Sequence, residues 1–469
     1  MQGRGVTSRR EFLRLSVLGA ASGIVAACAP AAPPTATPAP ARPAEPAKAS
    51  APTVAAAPAK SAEAVTLVWD TFRGVGTPWP DHIIGTFKQK FPNVTVQFRP
   101  LPTSQTDSYP KLYAMYAAGN IGDLYSFDQV DYEFYRAVPQ GLVRAVDDFI
   151  ASDKYDPGQF YKPFWELQKL NGKVWGLPSW GHPGDGGFVL NELSLQDAGL
   201  KVPDYKSADW TMQAFYELIV KLHKTSGGQI VRYGTNLGLA HRHMTTTTRA
   251  FMGDLISQDG KKAIVTEPNP TKGFRWVYDL AQKEKVVALP GGFQGSANDL
   301  FASGKLGSIQ AGALAMFNVR LAIKDPSLCK MKTILYPKRP DGIYPSQIRA
   351  GTWQIGSKSK SPEWAWEFVK HKSSRDGVVS FNRMAQSAGA FVRPDILDDD
   401  YFADPNFEPY KDTLLTAMPF IVPANARGTE LQDVFAQEHA NIYLGRVPFE
   451  QGLKSLNDEL QRVLDKPTT

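Results

Sequence analysis

Short apolar runs alternate with amphipathic stretches from residue 65 onward, and their spacing predicts strands and helices in turn. Residues 65–69 read Val-Thr-Leu-Val-Trp, a β-branched run typical of a buried strand. Residues 81–91 carry apolar side chains at helical spacing, and residues 94–98 alternate between apolar and polar side chains like a second strand. A further helix is predicted over 109–118 and another short strand within 122–128. A strand, a helix and a strand that follow one another so closely form a βαβ unit, so we expect a parallel sheet.

The carboxyl ends of the predicted strands carry the first candidate site residues. Trp69, Asp70 and Phe72 follow the first strand, and Phe127 and Asp128 follow the third. Ligands of open parallel sheets bind beyond these strand ends, so aromatic rings and carboxylates are expected to converge at one sheet edge. A purely structural role in the core is the alternative for both aromatic side chains, and the pattern alone leaves it open.

Helix-start signals and apolar spacing predict further core-facing helices. Thr211 is expected to cap a helix whose apolar residues repeat at helical spacing over 215–222. Ser361 is another expected cap, because Pro362 follows it at the first helical position. From Phe449 to Val463, apolar side chains step by four and three along one face. These patterns indicate packing and carry no chemistry.

The amino terminus has the pattern of an export signal. Arg9 and Arg10 precede a weakly apolar stretch over 15–27, which as a helix would span about 20 Å and is too short for a bilayer core of about 30 Å. The paired arginines resemble the twin-arginine signal, and Val-Ala-Ala before Cys28 resembles a lipobox, so residues 1–27 are predicted to be a signal peptide and Cys28 a lipidation site. A plain signal with an incidental cysteine is the alternative.

Residues 28–64 are predicted to form a lipid-anchored tether. Of the 36 residues after Cys28, 16 are Ala and 9 are Pro. Such a segment cannot bury enough apolar surface to order itself, and at ~3.1 Å per residue it reaches up to about 110 Å.

Composition narrows the class of protein. Apolar residues make 43% and charged residues 21% of the 469-residue chain, which excludes a disordered, fibrous or polytopic membrane protein. The formal net charge of +6 falls to +3 once residues 1–27 are removed, so a nucleic-acid partner loses its main support. Cys329 is the second of two cysteines, and no intramolecular disulfide can form if Cys28 carries lipid.

The sequence motifs that could indicate catalysis, metal binding or cofactor binding are each incomplete. His241 and His243 could supply two metal nitrogens, but no further ligand follows at a convincing spacing, and the segment is expected to be a solvated or ligand-edge loop. Gly74 and Gly76 lack the third glycine of a dinucleotide motif, and Gly304-Lys305 lacks the preceding P-loop glycine. We therefore expect no cofactor, no metal site and no catalytic residue.

Several short blocks stand in a characteristic order over residues 65–463. They are FKQKFPNV at 87–94, AAGNIGD at 117–123, NGKVWGLP at 171–178, FASGK at 301–305 followed by Gly312, and SPEWAWEF at 361–368. This order resembles extracellular solute-binding proteins of ABC transporters, in particular the family 1 sugar binders related to maltodextrin-binding protein.

The resemblance implies an α/β fold of the periplasmic-binding-protein-like type II, with a ligand cleft between two α/β lobes. The amino-terminal lobe would comprise 65–185 and 352–388, and the carboxyl-terminal lobe 186–351 and 389–469. The chain would cross near 180–188, 349–353 and 388–393.

Candidate ligand-binding residues follow from these crossings. Sugars need aromatic rings for their apolar faces and charged or amide groups for their hydroxyls. To the residues at the strand ends, the crossings add further candidates: Trp180, His182, Asp185, Trp353, Phe391 and Arg393.

One departure from the family pattern affects the expected ligand. Family members often place a tryptophan two residues after the glycine that follows the FASGK block, whereas this chain has Gly312-Ala313-Leu314. The missing ring puts a malto-oligosaccharide in doubt and leaves a smaller or differently shaped solute possible.

The resulting hypothesis is a monomeric, lipid-anchored, extracytoplasmic protein of the cell membrane that captures a sugar and delivers it to an ABC permease. It would be a binding protein and no enzyme. One alternative keeps the fold and changes the solute to a peptide, a polyamine or an organic acid. The other is a secreted carbohydrate-active hydrolase that uses Asp70 and Asp128 as paired carboxylates.

Overall fold

The computed structural model describes residues 63–129, 132–238, 240–385, 389–414, 418–419 and 427–466. All of them fall within one compact unit, Val54–Thr469. The predictions for Arg9, Arg10 and Cys28, and nearly all of the predicted tether, lie outside the described residues.

The strands of the described residues follow the predicted alternation with helices. In chain order they are β1 (Val65–Thr71), β2 (Val94–Pro100), β3 (Leu124–Tyr125), β4 (Lys169–Leu170), β5 (Lys173–Val174), β6 (Leu177–Gly184), β7 (Gly187–Asn191), β8 (Lys224–Ser226), β9 (Gln229–Asn236), β10 (Leu306–Ala311), β11 (Met331–Leu335), β12 (Gln347–Ile355) and β13 (Met418–Pro419).

The helices cover the predicted amphipathic segments. In chain order they are α1 (Trp79–Lys90), α2 (Gln105–Ala117), α3 (Glu133–Ala137), α4 (Asp147–Asp153), α5 (Lys162–Glu166), α6 (Glu192–Asp197), α7 (Met212–Leu222), α8 (His241–Ala250), α9 (Pro268–Tyr278), α10 (Ala297–Ala302), α11 (Ala313–Ala322), α12 (Pro362–Ser373), α13 (Arg375–Met384), α14 (Glu408–Lys411), α15 (Gly428–Tyr443) and α16 (Phe449–Leu464).

The first sheet confirms the predicted βαβ unit. Its strand order is β13-β12-β3-β1-β2, with β6 paired to β12. β1 runs parallel to β2 on one side and to β3 on the other. β12 runs antiparallel to both β3 and β6, so a later strand closes this sheet. We call the part of the molecule built on this sheet the first lobe.

The second sheet has the order β11-β7-β10-β9-β8, and we call the part built on it the second lobe. β6 belongs to the first sheet and β7 to the second, so the chain crosses between the lobes at residues 185–186. β12 extends unbroken from Gln347 to Ile355, past the expected boundary at 351–352. The expected boundary thus falls inside a single strand, and the lobe boundaries given above stay a prediction.

Two helix-start predictions had different outcomes. The Thr211 hydroxyl accepts a hydrogen bond from the Ala214 N–H at 3.1 Å and caps α7 as predicted. α12 does begin at Pro362, but the Ser361 side chain makes no capping hydrogen bond. The predicted carboxyl-terminal helix is α16, and its stripe from Phe449 to Val463 is buried.

The expectation of a solvated loop over 241–248 is wrong, whereas its alternative, a position at the ligand edge, stays a prediction. These residues form most of α8, and Met244 to Ala250 are buried in it. Among the described residues, none of the helices is both long enough and apolar enough to span a membrane.

Candidate functional site

The candidate site lies on a two-stranded ribbon, β6 paired with β12, next to the point where the chain passes from one lobe to the other. Arg349 is paired with His182 and Gln347 with Gly184 in the antiparallel register. Cross-strand partners and alternate residues share one face of a ribbon, so Trp180, His182, Gln347 and Arg349 lie on the same face. The Trp180 and His182 rings are accordingly 5.7 Å apart between centroids.

Arg73 reaches this face from the loop after β1. Its guanidinium forms an ion pair with Asp128, which follows β3. The guanidinium carbon also lies 4.6 Å from the Trp180 ring centroid and 5.0 Å from that of Phe72. Asp128 is fully buried and accepts the Thr352 N–H of β12 at 3.2 Å, so β1, β3 and β12 hold one charge pair against the ribbon.

Asp185 ties the ribbon to α8 at the crossing itself. It is 5% exposed and adopts a left-handed backbone with φ of 48°. Its carboxylate accepts the amide N–H of Gln347 at 3.0 Å and lies 3.3 Å from Arg242 Nε and 3.4 Å from His243 Nε2. Burial alone would raise the pKa of Asp185, but His243, Arg242 and Arg349 outweigh it and lower that pKa. Asp185 is therefore a buried anion held between two elements.

His182 is a neutral imidazole. Burial, assisted by the nearby positive charge of Arg349, lowers its pKa to about 4. Its Nδ1 lies 3.0 Å from the Pro183 carbonyl oxygen. A carbonyl oxygen only accepts, so Nδ1 carries the proton and Nε2 presents a lone pair.

Several polar atoms around this ribbon have no hydrogen-bond partner although they are buried. On the face that carries Trp180 and His182 they include Arg73 Nε, Trp180 Nε1, His182 Nε2 and Gln347 Oε1. Leaving such an atom unpaired costs about 1–3 kcal/mol, and native structures rarely concentrate several in one place. The set contains both donors and acceptors, which suits a ligand that offers both.

A small apolar crevice of about 10 Å³ lies between the lobes at the start of α8. Tyr132 of the first lobe faces His241, Leu255 and Phe435 of the second, and the Tyr132 and His241 rings are 6.3 Å apart. Aromatic walls beside unpaired polar atoms are the two ingredients of a sugar site.

The structure brings five of the predicted residues close to this site. Phe72, Asp128, Trp180, His182 and Asp185 make the contacts described above. Phe127 stays behind the site in the first lobe, where it is fully buried and stacks on Tyr109 at 5.9 Å.

The other five predicted residues pack in the core or form ion pairs with other protein residues. Trp69 and Trp353 are enclosed in the core, where both contact Trp79. Asp70 accepts Arg99 Nη2 at 2.7 Å and the Gly122 N–H at 2.7 Å. Phe391 packs on Phe402 at 5.1 Å. Arg393 pairs with Asp395 at 2.6 Å.

The candidate site also contains five residues outside the predicted set, which are Arg73, Arg242, His243, Gln347 and Arg349. Arg73 directly follows the candidates at the end of β1, and that position was the available signal. Nothing in the local pattern marks Gln347 or Arg349, because their role follows from pairing with β6. His241 and His243 lie among the described residues, and no cluster of three potential metal ligands occurs in that part of the chain.

A larger surface depression lies elsewhere, on the second lobe. It measures about 750 Å³ and is lined by residues that include Lys206, Trp210, Met252 and Arg339. Lys206 and Arg339 are already paired with Asp412 and Asp341. It lies at the end of α8 opposite to the crossing and has no cluster of buried unpaired atoms, so we place the site at the ribbon.

Comparisons with known proteins agree with this architecture. The sequence profile described as "Bacterial extracellular solute-binding protein" matches residues 82–409. A comparison with curated proteins finds no significant match.

Solved structures with two lobes superpose on most of the chain. An ABC substrate-binding protein from Listeria monocytogenes in complex with cycloalternan has a TM-score of 0.70 and 18% identity, covering 86% of this chain and 99% of its own. UgpB from Mycobacterium tuberculosis in complex with glycerophosphocholine has a TM-score of 0.71 and 17% identity, covering 85% and 98%. A cyclo/maltodextrin-binding protein complexed with maltotetraose has a TM-score of 0.70 and 16% identity, covering 88% and 100%. At these identities the likeness establishes the two-lobed fold.

Proposed function

The chain belongs to the family of bacterial extracellular solute-binding proteins, and from that membership we propose that it is the substrate-binding component of an ABC importer that captures a carbohydrate between its lobes. The solute would contact the ribbon and both lobes, favour a closed arrangement, and be handed to a membrane permease.

The observation that carries the carbohydrate assignment is the mixture of unpaired donors and acceptors at the ribbon. A sugar hydroxyl donates one hydrogen bond and accepts others, so a few hydroxyls can satisfy Trp180 Nε1, Arg73 Nε and His182 Nε2 together. Tyr132 lines the apolar crevice and offers aromatic surface for the apolar face of a sugar ring. Glycerophosphocholine in the Mycobacterium relative is a reminder that the fold also accepts phosphate esters.

Binding without catalysis is part of the proposal. A glycosidase needs two carboxylates free to act on one bond. Here Asp70 is engaged by Arg99 and Asp128 by Arg73, each in its own ion pair. This arrangement favours a structural role for both carboxylates over the hydrolase alternative.

The proposal also includes the cellular location of the protein. Its family is extracellular, so the binding module works outside the cytoplasm. We add that Cys28 carries lipid after removal of residues 1–27, that 28–64 tether the module to the membrane, and that it works as a monomer.

The test is thermal melting of the purified chain with a panel of solutes. The panel contains maltose, maltotetraose, tagatose and cycloalternan against glycerophosphocholine, citrate, spermidine and a dipeptide mixture. A ligand of the folded state at 100 times its Kd stabilises by about 2.7 kcal/mol, a readable shift. We expect at least one neutral sugar to raise Tm. If only non-sugars do so, the carbohydrate assignment is wrong, and release of sugar products by the purified protein would contradict the absence of catalysis.

A further inference from the structure

Two buried acceptors on the ribbon define which chemical groups the solute must present. They are His182 Nε2 and Gln347 Oε1, and both lack a hydrogen-bond partner. His182 is 2% exposed and Gln347 is fully buried. They are diagonal neighbours in the β6–β12 register, separated by the pair Ile348 and Pro183, and lie on the same face of the ribbon.

The acceptor role of Gln347 Oε1 is fixed by the other end of its amide. The nitrogen lies 3.0 Å from Asp185 Oδ2 and 2.8 Å from the Arg242 carbonyl oxygen. Both of these atoms only accept, so the NH₂ group must occupy that position and the carbonyl oxygen must point away from them. If the amide were rotated by 180°, its oxygen would face these two acceptors and neither hydrogen bond could form.

The acceptor role of His182 Nε2 is fixed in the same way. Nδ1 donates to the Pro183 carbonyl oxygen at 3.0 Å, which leaves the lone pair on Nε2. Burial, together with the neighbouring charges of Arg349 and Arg242, disfavours a second proton on the ring and lowers its pKa to about 4.

We propose that His182 Nε2 and Gln347 Oε1 form a subsite that accepts hydrogen bonds from two hydroxyl groups of an uncharged polyol ring, and that this subsite excludes anionic solutes. This inference rests on the proposed function and narrows its substrate class to neutral sugars.

The chemistry discriminates among the solutes that the fold could take. A carboxylate or a phosphodiester group has no hydrogen to donate, so it would place its lone pairs against two buried lone pairs. An ammonium group does donate, but its charge would lie close to Arg349, whose charge already acts on the His182 ring. A hydroxyl donates without carrying charge and fits both conditions.

The first test measures Kd of the best neutral sugar of the panel, maltose or tagatose, for the wild type, His182→Leu and His182→Gln. An unpaired buried hydroxyl donor costs about 10- to 100-fold in affinity, so His182→Leu should weaken binding by that factor. The glutamine carbonyl can occupy the Nε2 position, so His182→Gln should restore Kd to within about threefold.

A matched control separates the subsite from a general effect of losing a buried imidazole. His371 is also buried with a pKa lowered to about 4, mainly by burial, but its Nε2 lies 2.9 Å from Thr86 Oγ1. His371→Leu should leave the Kd of the same sugar within twofold, whatever it does to Tm.

The second test uses monodeoxy derivatives of the same sugar and its oxidised counterpart, maltobionate in the case of maltose. One deoxy derivative should bind the wild type about as weakly as the parent sugar binds His182→Leu. The Kd of that derivative should be the same for the wild type and for His182→Leu, because the hydroxyl that contacts His182 is already missing. Maltobionate should bind at least tenfold more weakly than maltose.

Each failure has its own signature. If a neutral sugar binds but His182→Leu leaves its Kd unchanged, or an anionic analogue binds as tightly, the subsite is wrong and the proposed function stands. If only an anionic solute, or no solute of the panel, binds the wild type, the carbohydrate function and the subsite fail together.

Discussion

Lys372 contacts Trp69 and Trp353, two aromatic residues that the sequence analysis predicted to bind the sugar. Its Nζ lies 4.4 Å from the Trp69 ring, 4.1 Å from Trp353 and 4.8 Å from Phe368, and the residue is 2% exposed. Cation–π attraction favours a charged amine at these distances, whereas burial favours a neutral one. Burial lowers the pKa of Lys372 well below 10.5, so burial dominates.

Replacing this amine by an apolar side chain of similar length should stabilise the protein. Between the lowered pKa and 10.5 the unfolded chain holds a proton that the folded chain has released, so stability rises with pH over that window. Each pKa unit corresponds to about 1.4 kcal/mol, and Lys372→Met removes this cost. We expect a Tm higher by at least about 2 °C at pH 7 and a smaller gain towards pH 10, measured by calorimetry.

Lys370 on the same helix provides the control for that measurement. Its Nζ pairs with Glu367 at 2.9 Å and contacts Asp153. Lys370→Met should leave Tm unchanged or lower it. A Lys372→Met protein that melts below the wild type at pH 7 would mean that the amine is charged and held by the rings.

β12 is the element on which both the fold and the site depend. It closes the first sheet against β3, pairs with β6 in the ribbon, and supplies Gln347 and Arg349 at its start. A β-carbon at Gly351, in the middle of this strand, would meet Trp180 Nε1 at 2.1 Å and Asp128 Oδ1 at 2.5 Å. The absence of a side chain is therefore what lets Trp180 lie against Asp128.

Gly351→Ala should consequently disturb the site from within the strand. We expect sugar affinity to fall by at least tenfold, because neither the indole nor the buried ion pair can give way without moving its partners. Kd by calorimetry and Tm of the unliganded protein are the two readouts. Gly85→Ala is the control, since a β-carbon on that α1 residue meets nothing within 4 Å and should be neutral or slightly stabilising. Unchanged affinity in Gly351→Ala would place the solute away from Trp180.

α8 illustrates why one element escaped sequence reasoning. Four consecutive threonines give no apolar stripe, yet all four are buried. Each hydroxyl is satisfied within the helix by a carbonyl oxygen four residues earlier, from Thr245 to His241 at 3.0 Å through to Thr248 to Met244 at 2.9 Å. Side chains that satisfy their polar atoms locally can be buried without looking apolar.

At the scale of the whole molecule, the two lobes are joined through crossings and cannot be cut apart in sequence. β6 and β12 belong to the first sheet, while β7, which follows β6, and β11, which precedes β12, belong to the second sheet. A solute bound at the ribbon, as we propose, would contact the crossing at residues 185–186, so its binding energy would act on the relative population of open and closed states.

The predicted lipid anchor at Cys28 is tested by fractionating cells that produce the full-length chain. Cys28→Ser should move the protein from the membrane fraction to the soluble fraction, because a single unlipidated chain lacks the acyl groups that hold it. Cys329→Ser is the matched control. Cys329 is buried and its thiol pKa is raised to about 12 by burial, so it is unreactive, and its loss should leave the protein in the membrane fraction. Membrane retention of Cys28→Ser would refute the lipid anchor.

The sequence by itself determined the elements that depend on local patterns. The β1–α1–β2 unit, the cap at Thr211 and the stripe of α16 follow from residue spacing and turn chemistry, which act over a few residues. The order of short blocks indicated the family, which the profile match over 82–409 establishes. Trp180, His182 and Asp185 were placed near the site because the first crossing could be located.

Only the tertiary structure decided which aromatic and charged residues meet. Trp69, Trp353 and Asp70 have the residue types of a sugar site, but they pack with a buried lysine and with Arg99. Gln347 and Arg349 become site residues through pairing with a strand more than 160 positions earlier in the chain. Spacing along the chain encodes period and local hydrogen bonding, whereas burial and partner choice depend on contacts between distant segments, so the composition of the site could be read only from the folded protein.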